Sequence, residues 1–364
     1  MRVIVLGGTG NFGARICRAL RTDAGIEVVS ASRRGNHVPD DGSGVRSVQL
    51  DAGEASFQDA LASLAPDLVI HCVGPFQGQD YRVVQSALRA GAHYLDLADG
   101  RAFVTGFEAA NDAQARAADR LAISGASTLP ALSSAVVDAI GTRLRTVDAI
   151  ELVIAPGQRA PRGAATLRSV FSYLGRPFKR LRSGEWIEVH GWEDLKLVRL
   201  DCGTRWAAAC DVPDLELLPQ RYPSVRTVEF RAALELGIQH FGLWFLAALR
   251  RRGVPIPVDR WAVHLDRIAT ALDRFGGEYG GMLVAVTGTA QDGTRQRIDW
   301  QLTIPALDGP EIPCMAAILM ARRLARGKIL ERGAHPCMGF LTLSDFDREF
   351  SRWNIRTRIE ENKA

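Results

Sequence analysis

Lysine is nearly missing from this chain: Lys179, Lys196, Lys328 and Lys363 are the only four among 45 bases. The shortage limits any mechanism that needs a catalytic amine. Four residues after the tyrosines at 81, 94, 173, 222 and 279 stand Gln85, Ala98, Pro177, Arg226 and Leu283. A Tyr-x-x-x-Lys pair, in which lysine lowers the phenol pKa, is therefore excluded. The six cysteines form no CxxC pair and no zinc spacing, so no metal site is expected. Scattered thiols of this kind read as reduced, small apolar residues of a cytoplasmic protein. Long apolar runs are missing too. Val3–Leu6 passes straight into glycines, too short for a signal core. Phe241–Leu249 ends at Arg250-Arg251-Arg252, far short of the roughly 20 residues an integral membrane segment takes. Nor is there an excess of one charge: 45 bases face 41 acids and no four bases adjoin, which argues against nucleic acid as a partner.

What remains is 364 residues, 47% hydrophobic, the composition of a soluble enzyme of about two domains. The first 150 residues alternate strand and helix signals. Strands are expected at Arg2–Leu6, Glu27–Ala31, Val45–Leu50, Asp67–Val73, His93–Leu97 and Leu121–Ser124. Helices are expected at Ala14–Leu20, Ser56–Leu64, Tyr81–Ala90 and Gly106–Asp119. Near-continuous apolar strands between helices imply a parallel sheet covered on both faces. From about Ile150 strands dominate, and Gln291-Asp292-Gly293-Thr294 marks an antiparallel hairpin. Helices at Ile238–Arg251 and Val258–Phe275 interrupt this series, and two more, Cys314–Ala325 and Leu343–Arg352, close the chain. The expected division is 1–130 with a returning 306–364, and 131–305 as a substrate and dimerisation domain through which a homodimer would form.

Gly7, Gly10 and Gly13, with Thr9, Asn11 and Phe12 between them, follow the first strand and open the first helix. A tight turn, a close backbone approach and close helix–strand packing each need a glycine there, and the helix N-terminus then faces a pyrophosphate. About 20 residues on, where a carboxylate would hold the ribose of NAD, stand Ser32, Arg33 and Arg34. A hydroxyl followed by guanidinium groups suits a 2′-phosphate, so the expected cofactor is NADP, not NAD. Asp51, closing the third strand, is expected near the adenine. Cys72, Val73, Gly74, Pro75 and Phe76 leave the fourth strand at the ligand-facing edge and would line ribose and nicotinamide. Asp96, Asp99 and His71 are the acid–base candidates at that edge, although His71 reads equally well as a hydrogen-bonded core histidine.

Gly7–Gly13, Val73–Phe76, Ala87–Ala98 and Gly125–Ser134 together resemble the saccharopine dehydrogenase (saccharopine reductase) superfamily, and Ile312–Ile329 and Gly333–Cys337 are similar to its closing segments. The resemblance covers the first 140 and last 55 residues and not 150–305. It implies an α/β fold: a Rossmann-type doubly wound parallel sheet plus a second α/β domain with a mixed, largely antiparallel sheet. It also implies reversible NADP-linked hydride transfer at a carbon–nitrogen bond of an amino-acid-like small-molecule substrate. Relatives that reduce lipid enoyl groups keep that alternative open, and a non-catalytic NADP-binding scaffold is a third reading. Arg159 and Arg168 lie in an arginine-rich stretch suited to clamp a substrate carboxylate. The helix at Ile238–Leu249 is apolar on nearly every side, which reads as core or dimer interface, with a lipid-facing surface or greasy pocket as the alternative.

Overall fold

The structure, a computed structural model, describes residues 1–35, 45–256 and 258–363; the side chains of 164–166, 258–260, 262–264 and 266 are outside the description. Strands β1 (Arg2–Leu6), β2 (Glu27–Ser32), β3 (Arg46–Gln49), β4 (Leu68–His71), β5 (His93–Asp96) and β6 (Leu121–Ser124) come first. Then follow β7 (Leu144–Ala155), β8 (Pro177–Arg182), β9 (Glu185–His190), β10 (Lys196–Leu200), β11 (Gly203–Ala209), β12 (Thr227–Ala233), β13 (Tyr279–Ala290) and β14 (Arg295–Pro305). β15 (Gly333–Pro336) and β16 (Arg356–Lys363) complete the series. The chain divides into two units: 1–132 with 310–341, and 133–309 with 342–364.

In the first unit all seven strands are parallel, in the order β15-β6-β5-β4-β1-β2-β3. Val3, Ile4, Val5, Val69 and Ile70 are fully buried, as strands covered on both faces must be. The helix Gly13–Leu20 turns Ile16, Cys17 and Leu20 inward, and Arg82–Arg89 turns in Val83, Val84, Ala87 and Leu88. Leu6 lies level with both Ala31 and His71, and His71 with Asp96. The carboxyl ends of β1, β2, β4 and β5 therefore share one edge. The strand order reverses between β1 and β4, the place where open α/β sheets bind ligands.

In the second unit, seven strands form a mixed sheet, β10-β11-β12-β7-β13-β14-β16, in which only β12 and β7 run parallel. The Asp-Gly turn forms as expected: Asp292 Oδ1 accepts from Thr294 N at 2.9 Å and Gly293 takes φ +88°. Strands β8 and β9 pair only with each other, as a separate two-stranded sheet. One difference from the sequence reading has a plain cause. Residues 342–364 stay with the second unit instead of returning to the first, because β16 pairs antiparallel with β14 and Phe350 packs on Trp300. Among the described residues no helix is long and apolar enough to cross a membrane.

Candidate functional site

Gly7 leaves β1 with φ +79°, and its N–H donates to Ala31 O at 2.8 Å, tying the turn to the end of β2. A Cβ on Gly13 would lie 2.2 Å from Gly7 O and 2.7 Å from Gly7 C, so only glycine fits where helix meets strand. Gly10 differs: its Cβ would meet nothing closer than Gly7 O at 3.1 Å. Gly13 thus serves the chain's own packing, whereas the space beside the exposed Gly10 is left for something else. That is a cradle suited to an anion. Asn11 accepts twice from Arg15 Nη1, at 2.6 Å through both its backbone and side-chain oxygens, and Arg15 Nε pairs with Glu311 at 2.8 Å. Cys314 donates through Sγ to Phe12 O at 3.6 Å. The returning segment thereby braces Asn11 and Phe12. Sequence reading missed Arg15 and Glu311; their partnership spans almost the whole chain and has no local signal.

Ser32 ends β2 with a buried Oγ that has no hydrogen-bond partner among the described residues. Arg33 and Arg34 follow, both exposed, and neither forms an ion pair among the described residues. The orphaned hydroxyl and the two exposed guanidinium groups that follow it in the chain can all donate to a phosphate, and no carboxylate stands among them to take both hydroxyls of a ribose diol. Asp51 is engaged in its own turn, accepting from Gly53 N at 2.9 Å.

Cys72 is held to β1 through Leu6 O at 2.9 Å, and the exposed Val73 leans over the glycine turn, its Cγ2 3.0 Å from where a Gly7 Cβ would be. Gln79 fixes the loop from below, donating through Nε2 to Val73 O at 2.8 Å and Pro75 O at 2.7 Å. Gln79, like Arg15 and Glu311, has no local sequence signal that would single it out. Phe76 is buried, packed edge-on to His71 at 5.1 Å and against Phe103 at 5.4 Å. Burial also raises the Cys72 thiol well above its ordinary pKa, so it stays protonated and unreactive.

The three acid–base candidates sit in different surroundings. His71 is buried, with Nδ1 2.9 Å from the Tyr94 hydroxyl, and burial lowers its pKa to about 4. It is a neutral core ring at pH 7. Asp96 is fully buried; its Oδ1 accepts from Gly125 N at 2.8 Å, Ala98 N at 2.9 Å and Ser124 Oγ at 3.0 Å. Burial raises its pKa to about 6 against the pull of those bonds. Its geometry is that of a clamp joining the ends of β5 and β6. Asp99 alone is partly open, and its Oδ1 accepts from Gln77 Nε2 at 3.3 Å.

In the second unit Arg159 Nε donates to Asp273 O at 3.2 Å, and Arg162 pairs with the Asp273 carboxylate. Arg168 lies exposed on the helix Ala164–Ser172.

Residues 3–127 match the family model of the saccharopine dehydrogenase NADP binding domain. No curated protein matches the chain in sequence. Among solved structures, apo saccharopine dehydrogenase (L-Glu forming) from Saccharomyces cerevisiae is 14% identical over 99% of both chains, with a TM-score of 0.69. Homospermidine synthase from Legionella pneumophila in complex with NAD is 9% identical over 100% of this chain and 91% of that one, TM-score 0.60. An engineered D-amino acid dehydrogenase bound to NADP+ is 15% identical over 96% and 98%, TM-score 0.50. At such identities the likeness speaks for the fold.

Proposed function

We propose that this chain, whose residues 3–127 match the saccharopine dehydrogenase NADP binding domain, is an NADP-dependent oxidoreductase that carries out reversible hydride transfer at the carbon–nitrogen bond of an amino-acid-like substrate. NADPH, when bound, supplies the hydride. The observation that supports the reading is the orphaned Ser32 hydroxyl followed by the exposed Arg33 and Arg34 at the carboxyl end of β2, donors suited to a phosphate. The turn Gly7–Gly13 offers backbone amides to the pyrophosphate, Ser32 to Arg34 hold the 2′-phosphate, and Val73 forms the apolar wall beside them. Asp99 is the residue proposed to hold and release a proton at its carboxyl oxygen, steadied by Gln77. Asp96 and His71, both buried, act by positioning: Asp96 fixes the loop that carries Asp99, and the His71–Tyr94 hydrogen bond stiffens the strand ends beneath it.

NADPH oxidation measured against paired amino acids and oxo acids tests the reading. Asp99→Asn is expected to lower kcat by on the order of 10²–10⁴, the usual share of a general acid, with NADPH affinity unchanged. Full turnover in that variant would remove Asp99 from the chemistry. Arg168→Ala separates substrate classes. Activity lost only on carboxylate-bearing substrates supports an amino-acid-like one. Activity kept on all of them shifts the assignment to a lipid-like enoyl substrate, the reading favoured by the exposed aromatic face of the second unit.

A further inference from the structure

The helix Gly237–Arg251 is built inside out. Its buried positions are His240 and Ala247, while its outward face carries Ile238 (75% exposed), Phe241 (39%), Trp244 (38%) and Phe245 (56%). A helix packed on a protein normally turns such residues inward. The apolar surface continues onto the sheet: Phe241 meets the exposed Trp206 ring edge-on at 5.8 Å, and Trp206 pairs across the strands with Leu197, itself 54% exposed. Leaving so many large apolar side chains contiguous and in water is costly, and such patches mark surfaces that become covered.

The charges around the patch select what covers it. Residues 236–258 contain no acid and three consecutive arginines, Arg250-Arg251-Arg252. Arg251 is compensated by Glu193 at 2.6 Å, but the exposed Arg252, and Arg199 two residues beyond Leu197 on β10, have no carboxylate partner among the described residues. A second copy would bring the same arginines and no acid from this helix to balance them. An anionic bilayer supplies both an apolar interior for the aromatics and phosphates for the arginines. We propose that this face docks on a membrane surface rich in anionic phospholipid, with Phe241, Trp244 and Phe245 entering the interface and Arg199 and Arg252 lying at headgroup level.

The test is co-sedimentation of the full chain with vesicles of phosphatidylcholine alone or mixed equally with phosphatidylglycerol. Binding is expected only to the mixed vesicles, with a blue shift of tryptophan emission, and high salt should release the protein. Phe245→Glu should weaken binding by about tenfold or more through lost apolar burial. Arg252→Ala should weaken it by about fivefold through the loss of one charge. Phe245 is exposed, so both variants should keep the native circular dichroism spectrum and Tm. Wild-type protein left in the supernatant of the mixed vesicles would overturn the proposal. So would a dimer in sedimentation equilibrium that Phe245→Glu splits into monomers, since a second copy would then own the face.

Discussion

Gly10→Val is expected to leave the protein folded and unable to bind NADPH. A Cβ at this position meets nothing closer than 3.1 Å, so the chain tolerates it, but the branched side chain fills the space beside the turn that a pyrophosphate needs. Losing two charge-assisted hydrogen bonds to phosphate costs on the order of a hundredfold in affinity or more. Gly13→Val gives the contrast. There a Cβ would sit 2.2 Å from a backbone carbonyl, and the expected loss is stability, on the order of 3 kcal/mol or more, before any question of binding. Titration calorimetry with thermal unfolding separates the two. A Gly10→Val protein that binds NADPH normally would make the turn merely structural.

The second large effect belongs to Asp96. Asp96→Ala strips an acceptor from Gly125 N, Ala98 N and Ser124 Oγ inside the sheet, and should cost about 3–5 kcal/mol. Asp96→Asn keeps the acceptor and removes the charge, and should cost far less. Its pH dependence has a definite sign. The folded state holds the Asp96 proton up to about pH 6, whereas the free carboxyl releases it near 3.8. Stability from this group is therefore full below about pH 4 and falls as pH rises to about 6, by about 3 kcal/mol. The Asn variant should lose that slope. Tm measured from pH 4 to pH 8 decides the matter; equal slopes in the two proteins would show that Asp96 keeps its proton affinity near that of the unfolded chain.

The parallel unit was legible because its signals are local. Val3–Leu6, the glycines after it and the apolar helix stripes each fix an element within one turn or strand. Ser32, Arg33 and Arg34 could be picked out as candidates for the same reason: their place depends only on the end of β2. The harder parts depend on distant partners. Arg15 gains its role from Glu311, and β16 finds its sheet by pairing with β14, a strand separated from it by residues 306–355. The helix Asp214–Arg221 was hidden by Pro219 within it and a proline before it. The helix Gly237–Arg251 overturns only the core part of its reading: an apolar sequence implies burial within the chain only if the fold supplies something to bury it against. His71, which could be read two ways in sequence, lies buried against the Tyr94 hydroxyl, where burial lowers its pKa to about 4.

Direct titration of the protein with NADPH and NADH tests whether the first unit selects a 2′-phosphate through Ser32, Arg33 and Arg34. NADPH is expected to bind at least about tenfold more tightly, the value of one charge-assisted hydrogen bond. Arg33→Ala should bring the two affinities together by weakening NADPH while leaving NADH unchanged. Equal affinities for NADPH and NADH in the native protein would contradict it.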